Sequence, residues 1–209
     1  MQPRASSDTD LRRVFLDAAR HLLVRDGYKS LSMRKLARAA GYSATSIYLH
    51  FENKDALFHA LIEEGMERLL AAFREVEAAY ADDPEGRLEA LCRAYIRFGL
   101  DSPEYYEVMF MLHPEHMERY PADKFRRARR NLDVLAAALA DGAACGAFCA
   151  AEPRVLASTL WAALHGAVSL LIARRLDVRI DAEAFIETTI AHALRGVRSV
   201  APARTAPGV

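Results

Sequence analysis

The sequence predicts an all-α protein. Apolar residues recur at helical spacing along nearly the whole chain, no segment shows the period-2 alternation of a strand, and cap residues with Gly or Pro punctuate the periodic runs. Leu11, Val14, Phe15, Ala18 and Leu22 give a first helix its inner face, and Gly27 stands where the helix end needs a left-handed residue. Ser32 is placed to cap a second helix with Met33, Leu36, Ala37 and Ala40 inward, ended by Gly41. Ser43 is placed to cap a third, short helix with Ala44, Ile47 and Phe51 inward. Asn53 is placed to cap a fourth, from about Lys54 to Tyr80.

After Asp83-Pro84 a fifth helix is expected over Glu85 to Leu100. Ser102-Pro103 reads as a cap followed by proline at the first helical position, opening a sixth, aromatic and Met-rich helix from Glu104 to about Leu112. His113 to Pro121 is expected to be a loop. Phe125, Ala128, Leu132, Leu135 and Leu139 mark a seventh helix ending near Gly142. The last two helices fit Glu152 to Leu176 and Ala182 to Val197. The ends, residues 1–9 and 199–209, are expected to be disordered.

Composition bounds the function. The 209 residues are 52% hydrophobic and 27% charged, ordinary for a soluble globular chain. Net charge is zero, but residues 1–54 carry ten Lys or Arg against five Asp or Glu. A basic N-terminal lobe is what phosphate attraction needs. Three cysteines, Cys92, Cys145 and Cys149, and the absence of an apolar core in residues 1–10 point away from a disulfide scaffold and toward the cytoplasm. Val155 to Ala173 is uncharged and approaches bilayer-spanning length, yet its Ser158, Thr159, His165, Gly166 and Ser169 suit a buried core or dimer helix better.

The informative block is Leu11 to Leu57. Two short helices meet at the tight turn Gly41-Tyr42-Ser43, a helix-turn-helix pattern. In such a unit the second helix enters the major groove, and this one offers small or polar residues, Ser43, Ala44, Thr45 and Ser46, at its start. The runs Gly27-Tyr28, Ser32-Met33-Arg34-Lys35-Leu36-Ala37, Ala39-Ala40-Gly41-Tyr42-Ser43 and Ile47-Tyr48-Leu49-His50-Phe51-Glu52-Asn53-Lys54-Asp55-Ala56-Leu57 together resemble the TetR family of regulators.

The resemblance implies about nine helices, a helix-turn-helix DNA-binding domain over residues 10–54, and a ligand-binding and dimerisation domain over 55–198 that pairs through its last two helices. It further implies a cytoplasmic, homodimeric repressor of a palindromic operator in double-stranded DNA, released by a small-molecule effector. Carried over position by position, Tyr42, Ser43, Thr45 and Ser46 face bases or nearby phosphates. Tyr48 and His50 touch phosphate or sugar, and Lys54 meets the DNA backbone. Ser32 and Arg34 contact the flanking strand. Ala44, Thr45 and Leu49 depart from the family's usual pattern.

In the C-terminal part, Trp161, His165 and Gly166 resemble a TetR subfamily marked by Trp, His and Gly on the eighth helix. Trp161 and His165, four apart, share a helix face, and Gly166 would let another helix approach. With Tyr95, Phe98, Tyr105, Tyr106, Met109, Phe110 and Met117 they form an aromatic and Met-rich set. Such residues either line a mostly apolar pocket or fill an ordinary core. The pocket residues expected are Tyr95, Phe98, Tyr106, Met109, Phe110, Trp161 and His165.

No catalytic constellation, metal site or cofactor motif is found. His113 and His116 flank Pro114 without a nearby cysteine. Cys145 and Cys149 are separated by Gly146, which argues against a shared helix face. Arg126, Arg127, Arg129 and Arg130 read as a solvated face. Two other readings remain: a regulator whose partner is a protein, and a helical small-molecule carrier or enzyme.

Overall fold

The computed structural model describes residues 8–111 and 129–199. The expected loop His113 to Pro121, Met117, Phe125 to Ala128 and both chain ends lie outside them. Nine α-helices are found among the described residues: α1 Asp8–Asp26, α2 Met33–Ala39, α3 Ala44–Tyr48, α4 Lys54–Ala79, α5 Pro84–Asp101, α6 Pro103–Tyr106, α7 Arg130–Ala144, α8 Pro153–Ile172 and α9 Ala182–Val197. No strand occurs among these residues; the one extended pairing is an isolated bridge between Phe148 and Arg198. The described chain divides into two compact units, residues up to 68 with 101–111, and residues 69–100 with 129–199.

Side-chain caps hold most helix starts, at Ser32, Ser43 and Asn53 as the sequence predicts and at Asp83, Glu152 and Asp181 besides. The Asn53 side chain accepts from the Ala56 amide at 2.7 Å, Asp83 from Gly86 at 2.9 Å, Glu152 from Val155 at 2.7 Å and Asp181 from Ala184 at 2.8 Å. Ser102 departs from expectation: it sits at the cap position before Pro103, but its side chain makes no cap hydrogen bond. The sixth helix is also shorter than predicted. It has four residues, and Glu107–Met111 continue as a π-helical turn.

Helices α2 and α8 end by one device. Two hydrogen bonds close each end, from the third and second residues past the helix back to its last turn. On α2 they run Tyr42 N–H to Ala37 O at 2.9 Å and Gly41 N–H to Arg38 O at 3.1 Å. Gly41 supplies the positive φ of 81° that this closure requires. On α8 the same pair runs Arg175 to Leu170 and Arg174 to Leu171, at 2.9 and 3.1 Å, with Arg174 at φ 52°. That closure ends α8 at Ile172 rather than at Leu176. The apolar pattern continued, but the backbone turned.

In the first unit, α1 buries Phe15, Leu16, Ala19, Leu22 and Leu23 against Leu36, Ala37, Ile47, Phe51, Leu57, Phe58 and Leu61. Val14, predicted inward, is 37% exposed, because the buried stripe is centred one residue further on. Glu64 of α4 is a hub here. It accepts from the Tyr105 hydroxyl at 2.7 Å and pairs with Arg68 at 2.8 Å and with Arg13. Burial pulls its carboxyl upward, but these donors outweigh that and hold it below its usual range. The guanidinium groups of Arg20 and Arg68 lie 5.0 and 4.8 Å from the Tyr105 ring centre.

In the second unit, α5, α7, α8 and α9 bury Leu91, Cys92, Tyr95, Leu135, Leu139, Leu160, Leu164, Val168, Ile190 and Leu194. Helix α8 is long and apolar enough to cross a membrane by length and composition, yet it lies between α7 and α9 in this unit. Cys145 ends α7, and Gly146 at φ 83° turns the chain before Cys149. The two cysteines therefore do not share a helix.

Candidate nucleic-acid interface

The turn between α2 and α3 is built by backbone bonds and two serine caps. Ser32 Oγ accepts from the Lys35 amide at 3.3 Å and Ser43 Oγ from the Ser46 amide at 3.1 Å. The Ser43 and Ser46 hydroxyls are 2.9 Å apart. Both serines thus hold helix starts, and each hydroxyl keeps hydrogen-bonding capacity toward an outside partner.

Helix α3 is short, and its two sides differ. Ile47 is fully buried and Ala44 half-buried, while Thr45, Tyr48 and Leu49 face outward. Phe51 is buried as expected, though it lies beyond the helix end. The Tyr42 ring meets Phe15 edge-on, with centres 5.6 Å apart and planes at 70°. The His50 ring lies 5.5 Å from the same Phe15. One core phenylalanine therefore orients two of the predicted contact residues. Arg34 is exposed and makes no ion pair among the described residues, whereas its neighbour Lys35 is paired with Asp26 at 2.9 Å.

Lys54 differs most from expectation. Its ammonium donates to the Tyr28 and Leu31 carbonyls at 3.3 and 3.4 Å and lies 3.8 Å from the Tyr28 ring centre. The Tyr28 hydroxyl in turn donates to Asp55. The lysine predicted to meet DNA also ties the start of α4 to the α1–α2 connection. Sequence reasoning missed this second task, because Tyr28 is 26 residues away and its ring orientation has no local signal.

The predicted pocket residues divide between the two units. Tyr95, Phe98, Trp161 and His165 fall in the second. Trp161 Nε1–H donates to the Tyr95 hydroxyl at 2.9 Å. That hydroxyl lies 3.4 Å from His165 Nδ1, and Ser169 Oγ lies 3.5 Å from His165 Nε2. The Trp161 and His165 rings are 5.3 Å apart. Burial depresses the His165 pKa. Tyr106, Met109 and Phe110 fall in the first unit. There Tyr106 meets Phe110 edge-on at 5.0 Å, and Met109 covers Gly65 of α4 so closely that a Cβ there would collide with its sulfur. A Cβ added to Gly166 would meet no atom of the described residues within 4 Å, so no helix among them approaches it.

Comparison with known proteins agrees with this geometry. A model of bacterial regulatory proteins of the tetR family matches residues 15–61. A model of the tetracyclin repressor-like C-terminal domain matches residues 88–193, half of the chain. An HTH-type transcriptional repressor of Mycobacterium tuberculosis is 42% identical over 71 residues, 33% of this chain and 38% of that protein. The HTH-type transcriptional regulator UidR of Escherichia coli is 39% identical over 64 residues, 31% of this chain and 33% of UidR. These matches span little more than a third of the curated relatives' length. A solved protein of unknown function from Rhodococcus sp. RHA1 superposes with a TM-score of 0.80 at 27% identity, covering 95% of this chain and all of that one. A tetR-family regulatory protein from Rhodococcus RHA1 shares the fold at a TM-score of 0.74 and 21% identity, covering 94% and 100%. With both halves matched, the chain belongs to the TetR family of bacterial regulators.

Proposed function

We propose that this chain is a sequence-specific, DNA-binding transcription regulator, a cytoplasmic homodimeric repressor released from a palindromic operator by a small, mostly apolar effector. The observation that carries the reading is the capped α2–α3 pair. Its outward α3 face is uncharged, and the neighbouring α2 carries the exposed cations Arg34 and Arg38. That division suits a groove-reading helix with phosphate contacts at its sides. Ser32, Arg34, Tyr42, Ser43, Thr45, Ser46, Tyr48, His50 and Lys54 are the residues assigned to DNA.

Dimerisation is assigned to α8 and α9. Val155, Thr159, Ala162, Ala163, Gly166 and Leu170 follow helical spacing along one side of α8, uncharged and mostly exposed. A stripe of that kind suits pairing with its twofold mate. The effector is assigned to the second unit, where Tyr95, Phe98, Trp161 and His165 lie, with the Tyr95–Trp161–His165 group as its polar anchor.

Selection from a random double-stranded DNA pool at two salt concentrations tests the regulator reading. Enrichment of a palindrome is the expected result. Weak binding without enrichment, lost at modest salt, would show a partner other than a specific operator. The same operator then serves to screen small molecules for release.

A further inference from the structure

Residues 39–51 contain no Lys, Arg, Asp or Glu. The long side chains that most often read base edges are Arg or Lys on guanine and Asn or Gln on adenine. Helix α3 carries none of them. Whatever α3 reads in a major groove, it reads without those bidentate pairs.

Its outward face is instead apolar. Leu49 continues the helix at φ −69° and ψ −25°, and the Phe51 amide bonds Ile47 O at 3.0 Å. Thr45, Tyr48 and Leu49 therefore stand at i, i+3 and i+4 on one face, opposite the buried Ile47. Leu49 leaves 80% of its surface in water and Tyr48 leaves 53%. A lone exposed leucine is ordinary. This one continues a patch with Tyr48 and the Thr45 methyl on the side turned away from the core. The exposed cations that suit phosphate, Arg34 and Arg38, belong to the neighbouring α2 and not to this patch.

The apolar group that base pairs offer in the major groove is the thymine C5-methyl. We propose that α3 reads thymine by methyl contact, with Leu49 and Thr45 as specificity-determining residues, and that each operator half-site carries thymine opposite this face. The inference rests on the regulator reading.

The test runs the selection with two duplex pools, one with thymine and one with deoxyuridine throughout, which lacks only the 5-methyl. Wild type and Leu49→Ala are compared, and because Leu49 is so exposed the variant keeps its far-UV spectrum. The thymine pool is expected to return a palindrome with A·T pairs at the α3 positions, and the uracil pool to lose enrichment there. Affinity falls about fourfold per methyl, about sixteenfold over two half-sites. Leu49→Ala binds the thymine operator more weakly than wild type does and distinguishes it less from the uracil one, the remainder belonging to Thr45. The same operator at the same affinity from both pools overturns the methyl contact and leaves the regulator reading standing. So does a thymine-to-uracil ratio unchanged by Leu49→Ala. No operator from either pool overturns both.

Discussion

The Lys54 ammonium lies 3.8 Å from the centre of the Tyr28 ring and donates to the Tyr28 and Leu31 carbonyls, so one residue predicted to touch DNA also closes the head on itself. A half-buried cation over an aromatic face contributes about 1 kcal/mol, and its two hydrogen bonds add a similar amount. Lys54→Met is therefore expected to lower stability by about 1–2 kcal/mol, measured by denaturant unfolding. It should also weaken all DNA sequences alike and reduce the salt dependence of binding by about one ion per head. A normal unfolding midpoint with a reduced salt slope would assign Lys54 to phosphate alone.

Two tyrosines give the first unit an alkaline limit. Burial, reinforced by the hydrogen bond to Glu64, pushes the Tyr105 hydroxyl up to about 12. Burial and the bond to Asp55 also push Tyr28 well above its usual value. Both groups fold as neutral phenols. Their contribution is complete below the unfolded pKa near 10 and is lost as pH rises through the folded values. Stability measured between pH 9 and 12 should fall steadily, and Tyr105→Phe should flatten that fall. Its cost at neutral pH, on the order of 1 kcal/mol, reflects the lost bond to Glu64.

Helix existence was legible because it depends on local periodicity and caps. Ser32, Ser43 and Asn53 announce helices within three residues of themselves, and each makes the expected bond. Helix ends were less legible where the stop was not a glycine. Arg174 adopts φ 52° in a run that still looked helical. The residues assigned to DNA came from the resemblance of the α2–α3 segment to the TetR family. Their supports did not, since Phe15 under Tyr42 and His50, and Tyr28 under Lys54, are contacts across the fold. The Tyr95–Trp161 bond spans 66 residues, and nothing local in either segment predicts it.

Gly166 separates a chain-internal role from a role between chains. A Cβ there meets nothing of the described residues within 4 Å, and leucine is the better helix former. Gly166→Leu should thus leave the helical spectrum intact. If α8 pairs along its exposed stripe, the added bulk opens that pairing, and sedimentation at micromolar concentration should show monomer where wild type shows dimer. A dimer of unchanged strength would place the interface elsewhere.

Trp161 is the single tryptophan of the chain, and it reports on its neighbour. Its ring lies 5.3 Å from His165, whose pKa burial depresses below the usual 6.5. The folded chain favours the neutral imidazole. Stability associated with His165 is therefore present above the unfolded pKa and lost as pH falls through the folded one. Trp161 emission should change with a midpoint below 6.5 and stay flat in His165→Asn. Tyr95→Phe removes the hydroxyl that accepts the indole N–H and adjoins His165 Nδ1. Its expected cost is about 1–2 kcal/mol in thermal unfolding. Because the lost group belongs to the second unit, affinity for the operator without effector should stay within about twofold. A large loss of DNA binding in Tyr95→Phe would mean that this group sets the resting position of the heads, and not only the anchor offered to an effector.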